Sequence, residues 1–455
     1  MSEKKRIKIA CVGGGSRNWV PNLFEDLALR SDVSGRIDLY DIDYQAAREN
    51  VTRGEGVFGH EQARTRFEVT AHAEIGPALE GADFVVIAIQ PGPIEMMARD
   101  IDIPRKYGIL HTVGDTAGPA GTVRALRTIP VYENYAHAVM EHCPHAWVLN
   151  CTNPMALCVW TLYEVEPRIK AFGYCHEVFH TQRHLAELVE ENFDAQDVPR
   201  QEIWVDVAGV NHFTLARAAR WRGRDLFPVL HERMEREGFF ADRTEAAEER
   251  VESGDWFSYD LLVAYDFLRR FGVLGAAGDR HLVEFVPWYA RDVETLHRWG
   301  VVRTPSSFRK EKAAHRRENR DLEPPETLEG TDGEVVEQLM ALAGLGDLET
   351  TTNIPNRGQV RDLPHGAVIE SNVRFREDRL EPRLIGSFPG VVNGLQRRII
   401  DVQRATLKAG LQRDPDLAFQ AILHDPLCMI STDTAREMFE EMLEATKELL
   451  PGWDV

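Results

Sequence analysis

The chain has few cysteines and no long apolar run, and both shortages exclude classes of protein. Only six of its 455 residues are cysteine, and they are scattered without a pairing rhythm. So few thiols in a large chain are typical of a reducing compartment, which predicts a cytoplasmic address. No stretch approaches the run of about eighteen apolar residues that crosses a membrane, and Met1–Arg6 has no apolar signal core, so no membrane association is expected.

Positive charge is also scarce. Lysine and arginine total 53 against 73 aspartates and glutamates, which gives a net charge of −20. A surface this acidic repels phosphate backbones, so a nucleic-acid partner is not expected, although a local basic pocket for a small anion is compatible with it. The remaining composition is that of a globular protein long enough for two or three domains.

The first 180 or so residues alternate strand-like and helix-like segments. Short apolar runs that read as strands lie at 7–12, 36–40, 84–89, 146–149 and 171–173, and helical patterns lie near 18–30, 44–58, 121–142 and 155–166. Strands that alternate with helices of this length indicate βαβ units and a parallel sheet. We therefore predict an α/β fold with a Rossmann-like, doubly wound parallel sheet over residues 1–198.

From about residue 200 the pattern changes to long, charged segments with helical periodicity. These segments lie at 228–252, 258–271, 333–345, 388–411 and 414–427, with a short helix before Pro451. They predict a second, mostly helical α+β domain over residues 199–455, which would carry the substrate, metal and oligomerisation surfaces. The charge-rich stretch 309–326 is expected to be a solvated helix or loop.

A glycine-rich turn follows the first strand. Gly13, Gly14 and Gly15 with Ser16 would let the backbone approach a pyrophosphate at a helix N-terminus, although Asn18 stands where a third spaced glycine is usual. Asp41 and Asp43 end the second strand, where an acid accepts hydrogen bonds from the ribose of NAD. We predict an NAD site that includes Gly13, Gly15, Ser16 and Asp41; the alternative is a tight turn in another α/β fold.

Other polar segments follow later strands. Gln90 begins a Gln-Pro-Gly-Pro turn after the fourth strand, and Asn153 precedes a proline after the fifth. Ligands of open α/β sheets bind at such strand ends, so Gln90 is assigned to the cofactor and the Asn153 amide to a sugar hydroxyl or a metal-bound oxygen. The glycine-rich loop 114–121 could cover the nicotinamide, or it could simply lead into a helix.

Two segments beyond the nucleotide half carry possible metal ligands. Cys175 lies in Gly-Tyr-Cys-His-Glu, and His212 lies in Gly-Val-Asn-His-Phe. Either residue alone would more often be a buried structural side chain. Together they supply two ligands and leave coordination positions open, which is typical of a catalytic rather than a structural metal site.

The later half also groups polar residues. Arg280, His281 and Glu284 follow one another closely, and Tyr259 and Tyr265 each precede an aspartate in an amphipathic segment. A tyrosine can serve as a base only where a metal or a cation acidifies its phenol; helix packing is the alternative for either one.

These segments, taken in order, resemble glycoside hydrolase family 4, the NAD- and manganese-dependent glycosidases. The resemblance runs from about residue 7 to 430 and rests on the glycine turn, the Asn150–Pro154 strand end, Cys175-His176-Glu177, Asn211-His212-Phe213 and the 280–285 segment. It implies transient oxidation of the sugar at C3 by NAD, deprotonation at C2, and elimination at C1 followed by addition of water. Family members depart in this way from the two-carboxylate glycosidases.

The resemblance also implies roles for single residues. Cys175 and His212 would bind Mn²⁺ or another divalent metal, and Asn153 would contact the substrate or the metal. His176 would protonate the leaving group. The base would be Tyr265, with Tyr259 as the second choice, and a homodimer or homotetramer is expected.

The Cys-His-Glu-Val run resembles the α-glycosidase branch of the family rather than its phospho-glycosidase branches. Arg280 beside His281 departs from the α-glucosidases, and a guanidinium suits a carboxylate. With Arg17 as a second candidate, it points to an α-D-galacturonide. The alternatives are an α-glucosidase or α-glucuronidase of this family, an NAD-dependent dehydrogenase of the lactate/malate type, and a non-catalytic NAD-binding sensor. Either arginine could instead bridge a structural carboxylate.

Overall fold

The computed structural model describes residues 4–318 and 322–453, so Met1–Glu3, three residues of the charge-rich stretch and the last two residues lie outside it. Its strands in chain order are β1 Lys5–Val12, β2 Val33–Tyr40, β3 Phe67–His72, β4 Phe84–Ile87, β5 Trp147–Asn150, β6 Lys170–Gly173, β7 Ile203–Val210, β8 Phe213–Trp221, β9 Arg224–Asp225, β10 Leu274–Gly275, β11 Leu348–Pro355, β12 Val368–Arg376 and β13 Arg379–Pro382.

Helices connect and cover these strands. They are α1 Trp19–Ala28, α2 Tyr44–Gly59, α3 Ile75–Leu79, α4 Ile94–Lys106, α5 Gly118–His142, α6 Met155–Val165, α7 Glu177–Asn192, α8 Phe227–Met234, α9 Thr244–Ser253, α10 Leu262–Phe271, α11 Asp279–Leu282, α12 Val293–Arg298, α13 Ser306–Glu318, α14 Val335–Leu342, α15 Gly390–Gln412, α16 Pro415–His424 and α17 Thr432–Thr446.

One mixed sheet runs through both halves of the described chain. Its first part has the parallel order β3-β2-β1-β4-β5-β6, which is the strand order of a Rossmann fold. Beyond β6 the sheet continues with antiparallel strands in the order β11-β12-β7-β8-β10. The predicted Rossmann-like parallel sheet is therefore confirmed.

The second half of the chain forms more β-strands than its sequence, with its long helical patterns, predicted. Seven strands, β7 to β13, extend the sheet, and the predicted helix 228–252 is two helices, α8 and α9. The middle of β11 is polar but buried, at Thr351–Asn353, so apolar alternation does not reveal it. Because β11 pairs with β6, the sheet crosses the predicted domain boundary without a break; the division at residue 198 stays a prediction.

The buried core supports the ends of the strands where polar residues gather. β1 is apolar and almost fully buried from Ile9 to Val12, as a central parallel strand requires. In contrast, α13 has no buried residue along its length, in keeping with the predicted solvated helix.

No helix among the described residues is long and apolar enough to cross a membrane. All six cysteines are described, and each has a free thiol.

Candidate functional site

A cavity of about 970 Å³ opens at the carboxyl ends of the parallel strands. Ligands of doubly wound sheets bind at this edge. The residues predicted to bind NAD all line the cavity, namely Gly13, Gly15, Ser16, Asp41 and Gln90. Asn153 and a residue that the sequence did not single out, Asp115, lie along the same wall.

The glycine turn leaves no room for side chains. A Cβ on Gly13, whose φ is +91°, would lie 2.3 Å from the carbonyl oxygen of Ala88, and a Cβ on Gly15 would lie 2.7 Å from the Cβ atom of Ala46. The Asn50 amide clamps the turn by donating to the carbonyl oxygens of Gly14 and Ser16. The turn is thus a backbone cradle that only glycine permits, which fits a pyrophosphate group.

Asp41 fixes the cavity wall beside this turn. One of its carboxylate oxygens accepts the Gly15 amide at 2.9 Å, and the other accepts the Asp43 amide at 2.9 Å. Asp43 in turn caps α2 through the Ala46 amide. Ile42, between these two aspartates, is 92% exposed and also lines the cavity.

A buried glutamate holds the glycine-rich loop that carries Asp115. The Glu284 carboxylate accepts the backbone amides of Val113 at 2.7 Å and Gly114 at 2.9 Å. Both contacts join segments about 170 residues apart in the sequence. The loop is therefore held in place as a wall of the site. It does more than lead into α5, which was one of the two alternatives for this glycine-rich segment.

His212 reaches the same place from a strained turn. Asn211 and His212 form the two-residue connection between β7 and β8, and His212 has a φ of 67°, in the left-handed region. A non-glycine residue there costs on the order of 1–3 kcal/mol, and such strain is concentrated at functional sites. The turn directs the His212 ring at Asp115 and Thr116.

Asp115, His212 and His281 form a cluster of possible metal ligands. Their ligand atoms all lie within 4.8 Å of one another. Thr116 bridges two of them, since its hydroxyl lies 2.8 Å from an Asp115 oxygen and 2.9 Å from His212 Nδ1. Within the described part of the chain, the buried Nδ1 atom of His281 has no hydrogen-bond partner, and neither has Oδ1 of Asn153, whose amide nitrogen donates to Asp115 at 2.9 Å.

The charges in this cluster favour metal binding. Burial, followed by the neighbouring His281, lowers the pKa of His212 to about 4, so its imidazole is neutral as a ligand must be. Burial would raise the pKa of Asp115, but His212, His281 and Arg124 hold it below the usual range. A carboxylate and two imidazoles are a donor set that suits a divalent first-row metal ion.

Cys175 is joined to this cluster through its neighbours. The thiol is buried and accepts a hydrogen bond from the side chain of Asn211, the residue before His212. Burial, followed by Glu370 and Glu177, raises the pKa of Cys175 well above its ordinary value. The thiol therefore stays protonated unless a strong positive charge lies beside it, which a bound metal ion would provide.

His176 lies at the mouth of the site. It precedes α7, its side chain is half-exposed, and its Nε2 atom lies 4.0 Å from a Glu177 oxygen. Glu177 is fixed by the Gly278 amide at 2.9 Å and lies 3.6 Å from Nε2 of His281. The two sequence segments that carried the prediction, 173–177 and 209–213, thus meet the 278–281 segment around one point.

The structure does not bring Tyr265 to this point, so its assignment as the base has to be corrected. Tyr265 lies within α10 on the buried face, where its hydroxyl pairs with Nε2 of His184 at 2.9 Å and its ring packs against Phe239. Tyr259 precedes α10 and its hydroxyl lies against Gly278, because a Cβ on that glycine would be 2.7 Å from the phenolic oxygen. Of the two candidates, Tyr259 is thus the one next to the 278–281 segment, and its role as the base stays a prediction.

The two arginines considered for a carboxylate lie in different places. Arg280 is buried, donates to the Thr304 hydroxyl, and has its guanidinium 5.0 Å from the centre of the Phe257 ring. Thr304 and Phe257 line the cavity, with Arg280 behind them. Arg17 instead donates to the carbonyl oxygen of Arg316 and lies 3.6 Å from Glu49, at the glycine-turn end.

Sequence reasoning missed several residues of the site. Asp115 lies in a loop whose only clear sequence signal is its glycines, and Glu284 is distinguished in the sequence only by its closeness to Arg280. Glu370 gave no local signal. It lies in β12, accepts from Thr214, Asn211 and Asn353, and burial raises its pKa to about 7.

Comparison with known proteins covers nearly the whole chain. A sequence model described as family 4 glycosyl hydrolase matches residues 8–191, and one for the C-terminal domain of family 4 glycosyl hydrolases matches residues 207–428. The alpha-galacturonidase of Thermoanaerobacterium saccharolyticum is 45% identical over 99% of this chain and 97% of its own. That of Bacillus subtilis is 40% identical over 98% of both chains.

Solved structures give the same picture. The crystal structure of lplD from Bacillus subtilis superposes with a TM-score of 0.88 at 39% identity, over 96% of this chain and all of that one. A 6-phospho-alpha-glucosidase from gut microorganisms, solved in complex with NAD and Mn²⁺, superposes with a TM-score of 0.81 over 99% of this chain and all of its own. At 18% identity this second likeness concerns the fold alone.

Proposed function

The chain belongs to family 4 of the glycosyl hydrolases, and we propose on that premise that it hydrolyses α-D-galacturonides with NAD and a divalent metal, by transient oxidation at C3, deprotonation at C2 and elimination at C1 followed by water addition. One observation carries the proposal. A partly buried Asp115–His212–His281 cluster lies beside a cavity suited to a dinucleotide, in a chain 45% identical to an alpha-galacturonidase over almost its entire length.

The residues present fit both cofactors. The crowded glycines 13 and 15 fit the pyrophosphate of NAD, and Asp41 and Gln90 line the adjoining wall. Cys175 and His212 would hold Mn²⁺, with Asp115 and His281 adding two further donors. When bound, NAD supplies reversible oxidation of the sugar and the metal supplies Lewis acidity beside it.

The residues of the chain position the sugar and move its protons. Asn153 is oriented by its bond to Asp115, and its unpartnered Oδ1 is suited to accept a hydrogen bond from a sugar hydroxyl. Tyr259 takes the proton from C2. Burial, followed by Glu177 and Asp279, raises the pKa of Tyr259, and Arg280 opposes this rise, so the phenol needs the positive charge of a bound metal ion to act as a base. His176, half-exposed at the mouth, donates a proton to the leaving oxygen at C1, from which the aglycone departs toward solvent.

The choice of substrate is supported by buried positive charge as well as by the relatives. Arg280 is buried without an ion-pair partner among the described residues, and its Nε atom has no hydrogen-bond partner. A neutral glucoside or galactoside adds no negative charge beside this guanidinium, whereas a uronide brings a carboxylate. An α-glucuronidase is the nearest alternative, because glucuronic acid differs from galacturonic acid only in the configuration at C4.

A panel of aryl α-glycosides tests the proposal. Galacturonide, glucuronide, glucoside and galactoside are incubated with NAD, Mn²⁺ and a thiol reductant, which protects the Cys175 thiol from oxidation. We expect the galacturonide to be cleaved fastest, with NAD needed only in catalytic amount. Continuous formation of NADH would indicate a dehydrogenase instead, and NAD binding without turnover of any glycoside would indicate a sensor.

We also propose a cytoplasmic address and a homodimer or homotetramer. The six free thiols support the first. The second is supported by Leu384 and Val391, which are 83% and 64% exposed near the start of α15, where an unpaired apolar surface is unfavourable. Light scattering coupled to size-exclusion chromatography measures the mass in solution; a monomer would refute the assembly.

A further inference from the structure

Three arginines lie around Asp115: Arg124 and Arg280 are buried, and Arg309 is partly buried. Among the described residues, Arg124, Arg280 and Arg309 form no ion pair, and each has one guanidinium nitrogen that is buried without a hydrogen-bond partner. Burial lowers the pKa of all three. Isolated buried charges are costly, so such groups normally have a partner.

Arg127 shows how this chain treats a buried arginine with a structural role. It lies on α5, one turn beyond Arg124, and its guanidinium binds the Asp100 carboxylate through two nitrogens, at 2.9 and 2.5 Å. The fork-to-fork geometry satisfies both charges within the fold. The three arginines near Asp115 lack this arrangement: carboxylates such as Asp115 and Glu284 offset their charge without an ion pair, so a guanidinium nitrogen of each stays free for the anion of a ligand.

Arg124 and Arg309 both line the cavity, and the sequence suggested neither of them; Arg309 differs in that it reaches the cavity from α13. It extends from α13, where Nη2 donates to the Val113 carbonyl oxygen at 2.9 Å, close to Asp115. Arg280 lies behind Thr304, so its charge reaches the cavity but its side chain does not line it. Arg124 is held against the Asn153 carbonyl oxygen at 3.0 Å.

The position of Arg309 along α13 separates it from the phosphates of the dinucleotide. Arg316, whose carbonyl oxygen binds Arg17, marks the part of this helix above the glycine turn. Arg309 lies seven residues before it, which is about 10 Å along a helix axis. One helix thus spans the cavity from the phosphate end to the sugar end, with Arg309 at the latter.

We propose that Arg309 binds the C6 carboxylate of the uronide and that α13 is therefore the element that selects uronides over neutral sugars. This inference rests on the proposed function. A uronate is ionised at neutral pH, and a guanidinium can bind its two oxygens in parallel. Val113 and Met97 hold the Arg309 head group in place, and Arg280 adds a second positive charge from behind.

The test compares Arg309→Met and Arg309→Lys with Lys310→Met, which removes a neighbouring charge from an exposed position on the same helix. For each protein, kcat/KM is measured with aryl α-galacturonide and aryl α-galactoside. We expect the ratio between the two substrates to fall at least about tenfold in Arg309→Met, as for loss of a charged hydrogen bond, with partial recovery in Arg309→Lys. Lys310→Met should keep the wild-type ratio.

NAD affinity and the melting temperature, measured on the same proteins, distinguish a specific effect from misfolding. If Arg309→Met folds and keeps the wild-type ratio, or loses both activities equally, the inference is wrong while the galacturonidase proposal stands. If the wild-type enzyme itself prefers the galactoside, both the inference about Arg309 and the galacturonidase proposal are wrong. If Arg309→Met does not fold, the Arg309→Lys ratio decides, because a shortened cation weakens carboxylate binding without removing the charge.

Discussion

The imidazole rings of His212 and His281 contact each other in the site in a tilted arrangement, with their centroids 4.0 Å apart and their planes inclined by 36°. His212 arrives from the hairpin turn between β7 and β8, and His281 arrives from the short helix α11. Asp115 joins them from the loop before α5. The site is thus assembled where the extended sheet, the helical layer and the nucleotide half meet, so none of the three parts contains it alone.

Replacing the thiol of the site tests the metal assignment. Cys175→Ser should lower metal-dependent turnover more than about hundredfold, because a hydroxyl is a poor substitute for a thiolate ligand and the Lewis acid is worth several kcal/mol. NAD binding, measured by calorimetry, should be unchanged. Cys428→Ser is the matched control, since Cys428 is a free, partly buried thiol beside α16. Wild-type activity in Cys175→Ser would refute the ligand role.

The nucleotide half could be predicted because its signals are local. The glycines of the turn and Asp41 are fixed by contacts within one βαβ unit, such as the Gly15 amide bond to Asp41. The full extent of the sheet could not be predicted, because the signals of its later strands are not local. β11 is buried but polar where Thr352 and Asn353 donate to the Gly173 carbonyl oxygen, and a strand that serves a site loses its apolar alternation.

The site itself was predictable only in part. Cys175, His212 and His281 were recognisable by residue type and by their segments. Asp115 depends on a loop held by Glu284 from a distant part of the chain, and no local pattern records that contact. The two tyrosines have the same Tyr-Asp context, and the difference between them is the start of α10 at Leu262, which leaves Tyr259 outside the helix and Tyr265 on its buried face.

The pair of tyrosines provides its own comparison. Tyr259→Phe should lower kcat by about 10²–10⁴, the usual contribution of a general base. It should also abolish incorporation of solvent deuterium at C2 of the product. Tyr265→Phe should keep the wild-type kcat and the deuterium incorporation at C2. It should lose about 1 kcal/mol of stability, because the hydrogen bond to His184 is removed. If Tyr265→Phe rather than Tyr259→Phe stopped deuterium incorporation, the assignment would be reversed.

The crowded glycine turn predicts a steric effect on cofactor binding. In Gly13→Ala the new methyl group meets the Ala88 carbonyl oxygen in a left-handed conformation, so the turn must shift. Strain of about 1–3 kcal/mol should weaken NAD binding at least about tenfold in a fluorescence titration. Gly59→Ala, at the open end of α2 with nothing within 4 Å, should bind NAD normally. Equal affinities for all three proteins would count against a pyrophosphate at this turn.

The His184–Tyr265 pair predicts a pH dependence of stability that is separate from catalysis. Burial, followed by Arg233, lowers the pKa of His184 to about 4 from its ordinary 6.5, although Glu187 lies 3.9 Å from Nδ1. Because the folded pKa lies below the unfolded one, neutral His184 is compatible with the fold above about pH 6.5. Stability is then lost as the pH falls from there through about 4.

His184→Gln removes this titration and keeps a hydrogen-bonding group next to Tyr265. Relative to the wild type, its free energy of unfolding should improve steadily between pH 6.5 and pH 4, by up to about 1.4 kcal/mol for each pKa unit of the shift. Urea denaturation at a series of pH values measures the difference. A gap between the two proteins that stays constant over this range would mean that His184 titrates normally, and the packing around Tyr265 would then not exclude water.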